Sequence, residues 1–299
     1  MTVEIGINPL TWSNDDLPSL GADIPLEVCL REGKSAGFKG FELGNKFPRE
    51  PKILAETLNQ FDLKLVSGWF SGDLFKRSVE EEIIALSSHL ELLKELGAKV
   101  MVYCDVHRCI HGDQQIGLRE RPVLSKQDWL CWGQKLSRVA DYCESHGVQL
   151  AYHHHMGTLV QSEDEIDLLM SHTNQSLGLL LDTGHISYAG GDPLSVFEKH
   201  KSRVNHIHCK DIRAEVLKDN LNRNSSFLNS VLDGVFTVPG DGDIDFLSLF
   251  HRLKEHNYKG WLVVEAEQDP EIHTPSKYAK LGFENVKALC EKASLDINL

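Results

Sequence analysis

Four short strings concentrate groups able to hold a metal ion or move a proton. They are Tyr152-His153-His154-His155, Leu181-Asp182-Thr183-Gly184-His185, His206-Ile207-His208-Cys209-Lys210-Asp211 and Val264-Glu265-Ala266-Glu267. Each closes a run that reads as a β-strand. Strand side chains alternate between faces, so His153 and His155 share one face, with His154 opposite. His206, His208 and Lys210 likewise step along one face toward the strand end, and His206, the deepest, reads as structural along with His154. A carboxylate ending an apolar strand, as Asp182 does, is costly without a partner of opposite charge. Glu265 and Glu267, two like charges on one face, repeat that problem. A single divalent ion collecting His153, Asp182, His208 and Glu265 resolves both. A mixed nitrogen and oxygen set suits Mn²⁺, Co²⁺, Zn²⁺ or Fe²⁺ better than Ca²⁺. The other reading of Asp182, a helix cap, is disfavoured because the next helix is predicted only near residue 192.

Beside this set, Lys210, His185, His155 and Glu267 are the candidates for proton transfer. Lys210 serves as a base if a nearby cation lowers its pKa, and as a fixed cation if not. Asp211, Arg213 and Asp241 are assigned to substrate binding, although the string Pro239-Gly240-Asp241-Gly242-Asp243 reads first as a structural turn.

The elements that must position these residues alternate strictly. Short β-rich runs at 3–10, 40–44, 64–69, 99–105, 149–155, 177–182, 204–210 and 260–267 are each followed by an amphipathic stretch, near 24–36, 51–61, 79–96, 125–146, 162–171, 193–199, 245–256 and 276–291. Glycines at 37, 97 and 147 stand just past predicted helices. Eight β/α units without a linker predict an α/β fold, a single (β/α)8 barrel over 1–299, and no glycine-rich dinucleotide fingerprint follows the first strand. The active face is then formed by the loops after the strands. Two of these, 106–124 and 212–243, are long enough to act as lids.

At this point the motifs become diagnostic. Leu-Ala-x-His-x-His, Leu-Asp-Thr-Gly-His, His-x-Lys-Asp and Val-Val-Glu at strands five to eight resemble the xylose isomerase-like TIM barrel superfamily. Within it, YHHHMGT (152–158), DTGH (182–185), TVPGDG (237–242) and EAEQDP (265–270) are similar to the inosose dehydratase family of myo-inositol catabolism. DTGH and HxKD are shared across the superfamily; YHHHMGT with EAEQDP is far more specific. The resemblance spans nearly the whole chain and implies a hydro-lyase that removes water from 2-keto-myo-inositol, a cyclic polyol ketone, through a metal-stabilised enolate. It further implies manganese or cobalt, with glutathione in some members. The superfamily's usual ligand set, Glu, Asp, His and Glu, maps onto His153, Asp182, His208 and Glu265. His153 departs from it, leaving two negative charges where the common set has three. A more electrophilic ion suits enolate stabilisation, and the missing glutamate argues against the two-carboxylate relay of epimerases.

A metal-dependent ketose or polyol epimerase or isomerase on the same barrel is the alternative, separable by product. A net charge of −13 opposes binding to a nucleic-acid backbone, which also disfavours an apurinic endonuclease, and a non-catalytic sugar-binding barrel would not need a metal. No membrane-length apolar run occurs, and residues 1–9 lack a leader pattern, so a cytoplasmic protein is expected. The seven dispersed cysteines form no CxxC pair and read as reduced thiols. The oligomeric state is left open, a homo-oligomer included.

Overall fold

A computed structural model describes residues 2–298. Eight parallel strands close into a barrel: β1 (Val3–Ile7), β2 (Gly40–Leu43), β3 (Lys64–Gly72), β4 (Val100–Asp105), β5 (Gln149–His153), β6 (Leu177–Asp182), β7 (Val204–Cys209) and β8 (Gly260–Val264). Around the barrel they run β1-β8-β7-β6-β5-β4-β3-β2, so each strand pairs with its sequence neighbours and β8 closes onto β1. Val100, Val102, Ala151 and Leu180, with Trp69, form their own apolar cluster, separate from the larger core formed between strands and helices. Leu180 and Ala151 stand two residues before Asp182 and His153, so the strand period turns both ligand candidates the same way as this packed layer.

The surrounding helices are α1 (Leu26–Ala36), α2 (Pro51–Asn59), α3 (Val79–Glu95), α4 (Lys126–Ser145), α5 (Glu163–His172), α7 (Pro193–His200), α10 (Phe246–Glu255) and α11 (Pro275–Lys292). Reciprocal capping boxes start α3, α4 and α5, at Ser78 with Glu81, Ser125 with Asp128 and Ser162 with Glu165. Each satisfies otherwise unpaired N–H groups just where the chain enters a helix. Among the described residues no helix is long and apolar enough to cross a membrane.

Two expectations change. The segment 212–243 is not an open loop: it holds α8 (Ala214–Arg223), α9 (Phe227–Leu232) and a two-stranded antiparallel ribbon of Asp211–Ile212 with Phe236–Thr237. Residues 106–124 contain only a 3-10 turn, Leu118–Glu120, and dock onto that segment. The Leu118 N–H donates to Ser225 O, the Arg119 N–H to Asn224 Oδ1, and Asn229 Nδ2 to Gln114 O. The two connections thus form one roof over a second small core that includes Met156, Tyr188, Phe227 and Phe236. The second change is a short helix, α6 (Thr183–Tyr188), directly after β6. Asp182 caps it after all, because its Oδ1 accepts the His185 N–H at 2.8 Å.

Candidate metal centre and active site

Strands β5, β7 and β8 end earlier than their hydrophobic runs suggested, so His155, Lys210, Glu265 and Glu267 lie just beyond them. The register still brings the groups together: Asp182 pairs with His208 across β6 and β7, and His208 with Val263 across β7 and β8. Donor atoms of His153, Asp182, His208 and Glu265 all lie within 4.8 Å of one another, on four buried side chains.

The atoms at the centre of this set face one another as charges, with few hydrogen bonds among them. His153 Nδ1 donates to its neighbour's carbonyl, His154 O, at 2.7 Å, which leaves the lone pair on Nε2, 3.6 Å from Asp182 Oδ2. Asp182 Oδ2 and His208 Nδ1 make no hydrogen bond although both are buried, and His208 Nδ1 is 3.0 Å from Glu265 Oε2. Burial disfavours charge on His153, and His208 beside it adds to that, so its pKa is held well below the usual range and the ring is neutral. Lone pairs of a neutral imidazole and a carboxylate facing each other repel unless a cation stands between them. The donor set therefore fits a divalent metal.

Burial alone would lower the pKa of His208, but Glu265 and Glu42 outweigh it and hold the ring protonated well above the ordinary value. Asp182 is raised by burial and lowered more strongly by Lys210, His208 and His153, so it stays ionised. His154 is confined to the scaffold, its Nε2 accepting the Asp182 N–H.

A second group adjoins the first. Donor atoms of His155, His185 and Glu267 also lie within 4.8 Å of one another, and Lys210 stands between the two groups. Its Nζ is 2.6 Å from Glu265 Oε1, 2.8 Å from Glu267 Oε2 and 2.9 Å from His185 Nε2. Burial disfavours the ammonium, but Asp182, Glu265 and Glu267 outweigh that cost and raise its pKa, which makes Lys210 a fixed cation. Gly184 permits this placement, since a Cβ there would stand 2.6 Å from Lys210 Cγ. Burial lowers the pKa of His155 to about 3 and that of His185 well below the usual value, so both rings are neutral. Burial also raises Glu267, assisted by Glu265 and opposed by Lys210. The roof supplies the dryness: Phe227 lies 4.7 Å from the His155 ring, and Phe236 lies under the Lys210 ammonium at 4.8 Å.

A cleft of about 250 Å³ opens beside these groups. His153, His208, Glu265, His155 and Glu267 line it; Asp182, Lys210 and His185 lie behind, fully buried. Its opposite wall comes from the loops after β1 and β2, with Asp15 and Asp16, which by sequence read as solvated charge, and with Asn45 and Arg49.

The three residues assigned to substrate binding are each engaged within the fold. Asp211 accepts the N–H groups of Ile212, Gly240, Gly242 and Ile244, which folds the 239–243 turn around its carboxylate. Arg213 binds the carbonyls of Gly234 and Phe236 and pairs with Asp241 at 2.8 Å, locking the ribbon to that turn. None of the three lines the cleft. Glu42, missed altogether, contacts both His206 and His208. Its signal was present in the sequence, an acid inside a short strand whose neighbours Phe41 and Leu43 are apolar.

Comparison with known proteins gives a consistent result. A family model described as xylose isomerase-like TIM barrel matches residues 30–289. The rhizopine catabolism protein MocC of Rhizobium meliloti is 45% identical over 298 residues, covering 100% of this chain and 92% of the relative. An inosose dehydratase of Geobacillus thermodenitrificans is 43% identical over 290 residues, covering 96% and 97%. Among solved structures, the IOLI protein with a binding zinc atom superimposes with a TM-score of 0.66 at 18% identity, covering 99% of this chain and 100% of that one.

Proposed function

The chain belongs to the xylose isomerase-like TIM barrel family, and from that premise we propose that it is a hydro-lyase removing water from an inosose, 2-keto-myo-inositol, to give a deoxy cyclohexane dione. The observation that carries the reading is the pairing of a four-residue ligand set with a separate proton-transfer set across a shared lysine. Relatives of the whole chain named inosose dehydratase support the same chemistry.

His153, Asp182, His208 and Glu265 would hold a divalent ion, for which we propose manganese or cobalt. When bound, the ion supplies positive charge that polarises the substrate carbonyl and offsets the charge developing beside it. The protein's own groups do the rest. Glu267 faces the cleft with a raised pKa, so it exchanges protons near neutral pH and takes the proton alpha to the carbonyl. The β-hydroxyl leaves as water with the proton that Glu267 took from the alpha carbon, and His155, neutral and also facing the cleft, orients that hydroxyl. Lys210 stays protonated behind Glu267 and Glu265, where it holds both carboxylates in place. His185 fixes the ammonium from its far side. Phe227 and Phe236 exclude bulk water, which strengthens each of these interactions. A cytoplasmic location belongs to the same reading.

The test is protein loaded with manganese or cobalt, with and without glutathione, incubated with 2-keto-myo-inositol and separately with ketohexoses. Metal-dependent loss of water, seen as a new dicarbonyl absorbance, is expected. Epimerised ketohexose without water loss would replace the reading with an epimerase, and turnover unaffected by a chelator would remove the metal from it.

A further inference from the structure

One buried carboxylate near the centre has no part in the chemistry above. Glu42, on β2, is separated from β7 in the sheet order by β1 and β8, yet its side chain lines the floor of the same cleft and meets the β7 histidines. Four donors converge on it: Asn8 Nδ2 at 2.7 Å, His206 Nε2 at 2.8 Å, His208 Nε2 at 3.0 Å from the nearer oxygen, and the Ser67 hydroxyl. We propose that Glu42 is a positioning residue that holds the proton of His208 on Nε2 and so presents Nδ1, lone pair outward, to the metal. The proposal rests on the metal reading above.

Hydrogen-bond capacity fixes the tautomer of His208. An ionised carboxylate only accepts, so an imidazole nitrogen facing it must carry a hydrogen. In a ring with one hydrogen that choice leaves Nδ1 bare, and His208 Nδ1 is the atom turned toward Glu265 Oε2, at 3.0 Å, and Asp182 Oδ2, at 3.4 Å. Glu42 is a poor ligand itself, because its two oxygens offer about four acceptor positions and four donors already use them. A carboxylate behind a metal-bound histidine fixes the ring's rotation as well as its tautomer. Removing such a partner typically weakens metal binding about 10- to 100-fold. His206, on the same strand face, shares the carboxylate; Glu42, His206 and His208 also lie close enough together to hold an ion, but the donors already on Glu42 occupy its acceptor positions.

The experiment uses zinc as a diamagnetic probe with the full chain and with Glu42→Gln, which keeps the shape and removes the charge. Zinc affinity by chelator competition and histidine nitrogen-15 spectra of the loaded protein are read together. Expected are a wild-type His208 with its proton on Nε2 and metal on Nδ1, and a variant whose zinc affinity falls about 10- to 100-fold with an altered His208 pattern. Equal affinity and an unchanged His208 spectrum in the variant would overturn the proposal, even if the variant melts earlier. A wild-type spectrum with zinc on Nε2 overturns it without recourse to any variant. Failure of the wild type to bind zinc, manganese or cobalt would overturn the metal reading, and the proposal with it.

Discussion

His208 is the residue on which most charges in the site converge, with Glu42 at one nitrogen and Asp182 and Glu265 at the other. Without metal those acids outweigh the penalty of burial and keep the ring protonated well above its ordinary pKa. The metal needs Nδ1 deprotonated, so uptake at neutral pH must expel a proton. Calorimetric titration with Mn²⁺ or Co²⁺ in buffers of different ionisation enthalpy should therefore show about one proton released per ion. The sign fixes the pH trend: the folded pKa is raised, so acid favours the proton over the metal, and apparent affinity rises toward alkaline pH until the ring loses its proton unaided. Uptake with no proton released would contradict the protonation described for His208. His153 and Glu265 were readable from strand parity alone; the charge state of His208 was not, because one of the acids that sets it, Glu42, comes from a strand more than 160 positions away.

At the scale of elements, the roof and the opposite rim meet at one ion pair. His111, on the 106–124 connection, lies 3.5 Å from Asp16 on the loop after β1, and its ring stands edge-on to His155 at 5.2 Å. Burial disfavours the charged ring, but Asp16 outweighs it and raises His111 to about 10. A raised pKa means that the pair's stabilisation is complete below the ordinary histidine value and is lost only as pH climbs through about 10. The clamp therefore holds throughout the neutral range. His111→Ala should speed amide exchange across 106–124 and lower kcat/KM about 10-fold by loosening the substrate's position, with zinc affinity unchanged. Exchange equal to that of the wild type would show that the roof is held by its contacts to α8 and α9 alone. The sequence revealed that both long connections follow strands, which placed them on the active face. It hid the helices of 212–243, because α8 is amphipathic against a roof rather than the main core and α9 is only six residues, and it hid α6, after β6, which is equally short.

For the molecule as a whole, a buried set of like charges that lacks a metal is a store of repulsion, partly relieved by Lys210 and by protonated His208. An ion that binds only the folded chain adds stability by mass action, about 2.7 kcal/mol at one hundred times its dissociation constant. For a barrel of this length that corresponds to a rise in Tm of roughly 5 °C. Scanning calorimetry with metal and with EDTA should show this shift in wild type and lose most of it in Asp182→Asn, which keeps a side-chain oxygen for the α6 cap. An identical shift in the variant would remove Asp182 from the ligand set.

The sequence by itself determined the closed barrel, the catalytic end, and the phase of each functional strand, because period-two alternation and β/α order are local properties that tertiary contacts reinforce. It also carried the family, through YHHHMGT, DTGH and EAEQDP. Only the tertiary structure decided which side chains face the cleft and which stand behind it. Glu267 and His155 line it; Lys210 and His185 are sealed beneath the roof by Phe227 and Phe236. It likewise engaged Asp211, Arg213 and Asp241 in the bracing of a turn, and gave His208 its partner in Glu42. Those outcomes depend on contacts between residues distant in the chain, and the alternation of side chains along one strand does not specify what arrives from another.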